Sequence, residues 1–195
     1  MHKKQKGLDA YTGENYNLTI LHSAFELVDA MLTGVIIAVV IFSFVIMRNS
    51  VSGTSMLPTL QDKDEIIVYH LFYQPKKGDI VIVNDPYEQG KHLVKRVIAL
   101  EGDKLQIDFE NSLIYVNNER LNEPYIYEQE MLRKPDWDIP EIIPENCVFI
   151  MGDNRNNSRD SRFSSVKLIN KENILGKVMC VIWPFNRLGN PYNIA

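Results

Sequence analysis

The sequence predicts a mainly β protein: an antiparallel β-sheet or barrel-like body with a short inserted lobe, preceded by one N-terminal transmembrane helix. Three observations predict it. The run Ala30–Met47 carries no charge over 18 residues. After residue 50 the chain turns into short β-branched and aromatic runs. Gly, Pro, Asn and Asp punctuate those runs, which is the pattern of strands joined by tight turns.

As a helix, Ala30–Met47 spans about 27 Å, close to the hydrocarbon core of a bilayer. A helix apolar on every face has little room inside a small domain. A polar stretch of 29 residues precedes the run, and Met47-Arg48-Asn49-Ser50 offers no small-x-small cleavage site, so it reads as a permanent anchor rather than a removed leader. The expected organisation is a cytoplasmic or interfacial segment at 1–29, an anchor at 30–48 and a body at 49–195. Glu26 and Asp29 mark the entry to the anchor. Lys3, Lys4 and Lys6 favour an N-terminus on the cytoplasmic side, while Arg48 directly past the span weakens that bias.

In the body, strands are expected at Glu65–Tyr69, Asp79–Val83, His92–Leu100, Lys104–Ile107, Ser112–Val116, Cys147–Met151 and Gly176–Trp183. Lys77–Asp79, Asn84–Pro86, Glu101–Asp103 and Asn117–Glu119 supply the turns. Residues 117–146 hold four prolines and little periodicity, so they read as an inserted lobe or a long loop. Ser165–Asn173 suits one short helix.

Composition narrows the function. The net charge is −4 with no long block of Lys and Arg, which argues against nucleic acid as a partner. Cys147 and Cys180 form no Cys-x-x-Cys pair and no metal-ligand spacing, so neither a structural metal nor a cofactor is expected. Two free thiols are favoured over a disulfide, and both remain open.

Three stretches carry chemistry. In Ser52-Gly53-Thr54-Ser55-Met56-Leu57-Pro58-Thr59-Leu60, Gly53 permits an unusual backbone angle and Pro58 fixes the chain after it. Such a turn can present a hydroxyl and a backbone N–H together, as acyl transfer requires. Lys95 lies in an apolar strand, sharing one face with Leu93 and Val97, while Arg96 shares the other with Val94 and Ile98. One of the two cations is expected inside. An ordinary lysine, with a pKa of about 10.4, is charged at neutral pH, and burial lowers that value by up to ~3–5 units and makes it a base. His70 and His92 leave a Ser/His arrangement open but less economical. The third stretch, Gly152-Asp153-Asn154-Arg155-Asn156-Asn157-Ser158-Arg159-Asp160-Ser161-Arg162, has no apolar side chain. It suits a solvated loop or a fixed network in which Asp153 and Asp160 pair with Arg155, Arg159 or Arg162.

Together these stretches resemble the boxes of a type I signal peptidase, in its bacterial, single-anchor, small-insert form. The matches are Ser55-Met56-Leu57-Pro58-Thr59, Lys95-Arg96-Val97-Ile98-Ala99 with Gly102-Asp103, and Gly152 to Arg162. The resemblance runs from the anchor to about Trp183 and implies a short insert at about 104–146. It implies a membrane-bound serine endopeptidase that removes signal peptides from preproteins after small-x-small motifs, through an acyl-enzyme. Ser55 would be the nucleophile and Lys95 the general base. Ser158 would hydrogen-bond the lysine amine, with Asp153, Asp160 and Arg162 as scaffolding. The Ser55 N–H would hold the oxyanion, with a second donor from the Gly53 region's backbone, the Ser52 hydroxyl or a water. Val51, Met56, Leu60, Leu93 and Val94 would line the substrate pockets. The implied partners are preproteins and membrane lipid, and the implied location is the plasma membrane with the body outside. The competing readings are a self-cleaving Ser/Lys peptidase, which the anchor disfavours, and a catalytically silent tethered binding module, which the filled boxes disfavour.

Overall fold

The computed structural model describes every residue except 1, 86, 87, 89, 194 and 195, so the Pro86 end of the expected Asn84–Pro86 turn lies outside the described residues. The chain divides into two compact units, residues 1–44 and 45–195. The first is a single helix, α1 (His2–Val45). Leu21–Val40 is long and apolar enough to cross a membrane, with a mean hydropathy of 1.9 and none of it buried. Phe25, Leu32, Val35, Ile36 and Phe42 are each more than half exposed, a surface that water tolerates poorly. This stretch begins earlier than the expected anchor and takes in Glu26 and Asp29. The helix also stops before the expected end at residue 48. Ile46–Arg48 leave it because they pair with Ile67–Tyr69, so the expected boundary falls inside a strand.

The second unit is built on a curled, seven-stranded antiparallel sheet. Its strands are β1 (Ile46–Ser50), β2 (Glu65–Tyr69), β3 (Ile80–Asn84), β4 (His92–Leu100), β8 (Cys147–Met151), β9 (Ile169–Asn170) and β10 (Ile174–Trp183). They lie in the order β1-β2-β10-β3-β4-β8-β9. A second sheet, β5 (Leu105–Asp108), β6 (Leu113–Val116) and β7 (Glu119–Arg120), forms the inserted lobe. The lobe is not a separate core. Its Leu105, Ile114, Met131 and Ile143 share one apolar cluster with Ile98, Phe149 and Met151 of the main sheet.

β4 is the strand that matters most for the site. It lies between β3 and β8, with Val81 opposite Lys95 and Met151 opposite Arg96. Apolar clusters cover both of its faces: Val94 packs with Val51, Met56 and Ile82, while Leu93 and Val97 pack with Val81, Val148 and Ile150. Both cations are therefore buried at 3% exposure, where one was expected inside. Arg96 is held by Asp153 through two hydrogen bonds, Nε to Oδ1 at 2.9 Å and Nη2 to Oδ2 at 2.6 Å. Its Nη1 donates to the Gly78 carbonyl, and its guanidinium stacks 3.9 Å from the Tyr125 ring centre.

Of two further readings, the helix fails and the favoured free thiols hold. Ser165–Asn173 forms no α-helix. Ile169 and Asn170 pair with Val148 and Cys147 instead, and Lys171–Asn173 makes one 3-10 turn, because Val166 and Ile169 fill the cluster around Val148. Cys147 and Cys180 are free, half-buried thiols rather than a disulfide.

The fold predicts two outcomes. Arg96→Met leaves Asp153 charged and dry, and should lower unfolding stability by about 3–5 kcal/mol in a denaturant titration. A fragment starting at Val45 should unfold cooperatively, whereas one starting at Asn49 loses three rungs of the β1–β2 ladder and should be less stable by about 1–3 kcal/mol.

Candidate active site

The loop between β1 and β2 carries Ser55. Its ends are tied together: the Val51 N–H donates to the Asp64 carbonyl and the Lys63 N–H to the Val51 carbonyl, both at 2.8 Å. Gly53 sits at φ +89°, a backbone angle that a side chain would strain. Met56 and Leu60 are fully buried in the main apolar cluster and pin the loop from beneath. Leu60 is thus a core residue and does not line the cleft, contrary to expectation, because the turn closed by the Leu60 N–H on the Met56 carbonyl points it inward. Ser55 is left half-buried between these fixed points.

Across from it, Lys95 Nζ donates to Ser55 Oγ at 2.7 Å and to the Val94 carbonyl at 2.8 Å. Burial pushes the Lys95 amine down from 10.5 to about 8; Asp160 pulls against that shift, Arg159 adds to it, and Asp153 and Asp85 pull against it. The consequence is quantitative. At pH 7 roughly one amine in ten is neutral, against roughly one in three thousand for an unperturbed lysine.

The stretch Gly152–Arg162 is not a solvated loop; only Asn157 is exposed. Asp160 and Arg162 are fully buried and paired, Nε to Oδ1 and Nη2 to Oδ2, each at 2.9 Å. Burial alone would raise the Asp160 carboxyl, but the Arg162 hydrogen bonds and charge and the Gly152 N–H hold it below the ordinary carboxylate range. Asp153 pairs with Arg96, Arg155 with Glu123, and Arg159 with Asp85. Three of these partners, Arg96, Glu123 and Asp85, lie outside the stretch, and sequence spacing gave no signal for them.

This network grips the serine loop. The Asn154 N–H donates to the Ser55 carbonyl at 3.0 Å, Asn154 Nδ2 to the Thr54 carbonyl at 3.1 Å, and Asn157 Nδ2 to Thr54 Oγ1 at 2.7 Å. Thr59 Oγ1 donates to Asp153 Oδ2 at 2.5 Å. Gly152 makes the close fit possible, since a Cβ there would sit 2.4 Å from the Ser55 carbonyl oxygen and 2.3 Å from Ser158 Oγ. Ser158 Oγ is buried and helps to lower the Asp160 carboxyl, yet makes no hydrogen bond of normal geometry. The expected Ser158–Lys95 bond is not formed in this arrangement, in which the amine contacts Ser55 and Val94.

A cleft of about 480 Å³ opens over the pair. Val51, Met56, Ile82, Leu93 and Val94 line it. Ser52, His92 and Arg159 border it. The Gly53 N–H is taken by Asp62 Oδ1 at 2.8 Å, which removes it as an oxyanion donor. Among the described residues no cluster of His, Cys, Asp and Glu is placed to hold a metal ion.

The family described as "Signal peptidase, peptidase S26" matches residues 24–183. A signal peptidase I of Bacillus licheniformis is 38% identical over 86% of this chain and 92% of its own. Signal peptidase I S of Bacillus subtilis (strain 168) is 33% identical over 88% of this chain and 96% of its own. A solved signal peptidase I from Enterococcus faecalis V583 overlays on 54% of this chain and 97% of its own at 23% identity, with a TM-score of 0.44. The sequence matches span nearly the whole of their counterparts, and on them the chain belongs to the signal peptidase family, peptidase S26, and is a serine endopeptidase that removes signal peptides.

Proposed function

We propose that Ser55 and Lys95 perform this cleavage as a nucleophile and base pair. The observation that carries the reading is the 2.7 Å contact between Ser55 Oγ and a buried amine pushed down to about 8. Neutral Lys95 accepts the Ser55 proton as Oγ attacks the scissile carbonyl. The same proton passes to the departing amine of the mature protein, leaving an acyl-enzyme on Ser55. Lys95 then takes a proton from water, the resulting hydroxide displaces the acyl group, and Ser55 Oγ regains its proton.

The oxyanion is assigned to the Ser55 N–H and the Ser52 hydroxyl. Among the described residues the loop's hydrogen bonds use the Gly53 N–H and the Ser55 carbonyl, and none uses the Ser55 N–H. Ser158 Oγ, buried and without a bond of normal geometry, is the hydroxyl to hold the Lys95 amine on Ser55 when the amine turns away from the Val94 carbonyl. The shallow apolar walls of the cleft at Val51, Ile82, Leu93 and Val94 suit small side chains before the cut, since a large one would overlap them. α1 anchors the enzyme in the lipid of the plasma membrane, N-terminus inside, with the body on the outer side where preproteins emerge.

Ser55→Ala and Lys95→Ala should each lower preprotein cleavage at least about 10³-fold with the fold intact by circular dichroism. kcat/KM should rise about tenfold per pH unit below pH 8 and level off above it, the sign expected of a base that must lose its proton. Stability should move in step. Because the folded pKa is below the unfolded 10.5, the unfolded chain binds the extra proton, and the penalty for burying Lys95 is full below pH 8 and disappears between 8 and 10.5. Lys95→Met should therefore melt higher than wild type at pH 7, with a gap that shrinks as pH rises.

A further inference from the structure

The serine loop is gripped from a second side, by a segment beyond the residues that the family matches. After β10 the chain makes a 3-10 turn at Phe185–Arg187 and runs back along the strand, where Val181 and Gly189 exchange hydrogen bonds of 2.9 and 3.1 Å. Tyr192 fixes the far end of the segment: its Oη accepts the Ile80 N–H at 2.8 Å and donates to the Val178 carbonyl at 3.0 Å.

Arg187 ends the 3-10 turn, two residues before the first of these ties, and reaches the loop. Its Nε donates to Asp64 Oδ1 at 2.9 Å, and its Nη2 to Asp64 Oδ2 at 3.0 Å and to the Thr59 carbonyl at 3.2 Å. Asp64 is 1% exposed and closes the base of the loop: its carbonyl accepts the Val51 N–H and its carboxylate the Gln61 N–H. Thr59 lies four residues past the nucleophile, and its hydroxyl is the loop's bond to Asp153. One guanidinium thus joins the loop's base to the arm that carries Ser55.

We propose that Arg187 is a positioning residue for the reaction, clamping Thr59 and Asp64 so that Ser55 Oγ stays within reach of Lys95. The inference rests on the Ser55/Lys95 reading. A buried carboxylate needs a cation for stability alone, and pairing with Asp64 would satisfy that need. The bond to the Thr59 carbonyl goes further, since it ties the arm itself, and a nucleophile displaced by about 1 Å loses of order 10²-fold in rate. The planar fork is what spans both acceptors, and the point charge of a lysine does not.

The test uses the full chain in detergent, with kcat and KM measured on a preprotein at a temperature where each variant is folded by circular dichroism. Arg187→Lys keeps the charge and the stem, and so stands in where Arg187→Ala does not fold. The clamp predicts a kcat lowered about tenfold or more, a KM within about threefold, and a pH midpoint equal to that of wild type. A kcat within about twofold of wild type in the folded variant overturns it, as does a loss confined to KM. Turnover by Ser55→Ala would instead sink the reading beneath it, whereas an inactive Ser55→Ala beside an unimpaired Arg187→Lys rejects the clamp alone.

Discussion

The arrangement depends on keeping one amine dry. Lys95 acts as a base only if its charged form is made costly, and water is the cheapest way to stabilise that form. The fold removes water by placing Lys95 on a strand with neighbours on both sides and apolar clusters on both faces. The same burial swallows Arg96, which cannot give up its charge and is therefore paired with Asp153. Two adjacent cations meet opposite fates for this reason: one has a carboxylate partner and stays charged, while the other has a hydroxyl and a carbonyl.

The polar stretch after β8 then has two tasks that pull against each other. Its carboxylates must not neutralise the effect of burial on Lys95, yet the stretch must be rigid enough to hold the serine loop. Pairing resolves the conflict. Asp153 and Asp160 are each held by an arginine through two hydrogen bonds, and the pull they still exert on Lys95 is smaller than the push of burial. The amides of Asn154 and Asn157, which bear no charge, make the contacts to Thr54 and Ser55. The close approach at Gly152 brings the two segments into register.

Much of this was legible in the residues. β2, β4 and β8 have the bounds that alternation and turn residues suggest. β1 was not legible, because Ile46 and Met47 continue the apolar run of α1 and only pairing with β2 distinguishes them. The Ser55 and Lys95 pair was visible as chemistry but not as a distance. The partners of the arginines were hidden altogether: Glu123 and Asp85 lie 32 and 74 residues from Arg155 and Arg159, and no local pattern encodes such a meeting. Leu60 illustrates the opposite error. It stands beside the nucleophile in sequence, and a tight turn sends it into the core.

The most direct measurement is the pKa of Lys95 itself, read from the pH dependence of its side-chain nitrogen and Cε chemical shifts in lysine-labelled protein, with Lys95→Met identifying the resonance. A midpoint near 8, well separated from the other lysines, is the result that a desolvated base requires. A midpoint near 10.5, together with the others, would mean that the amine is charged at working pH and that something else takes the proton from Ser55.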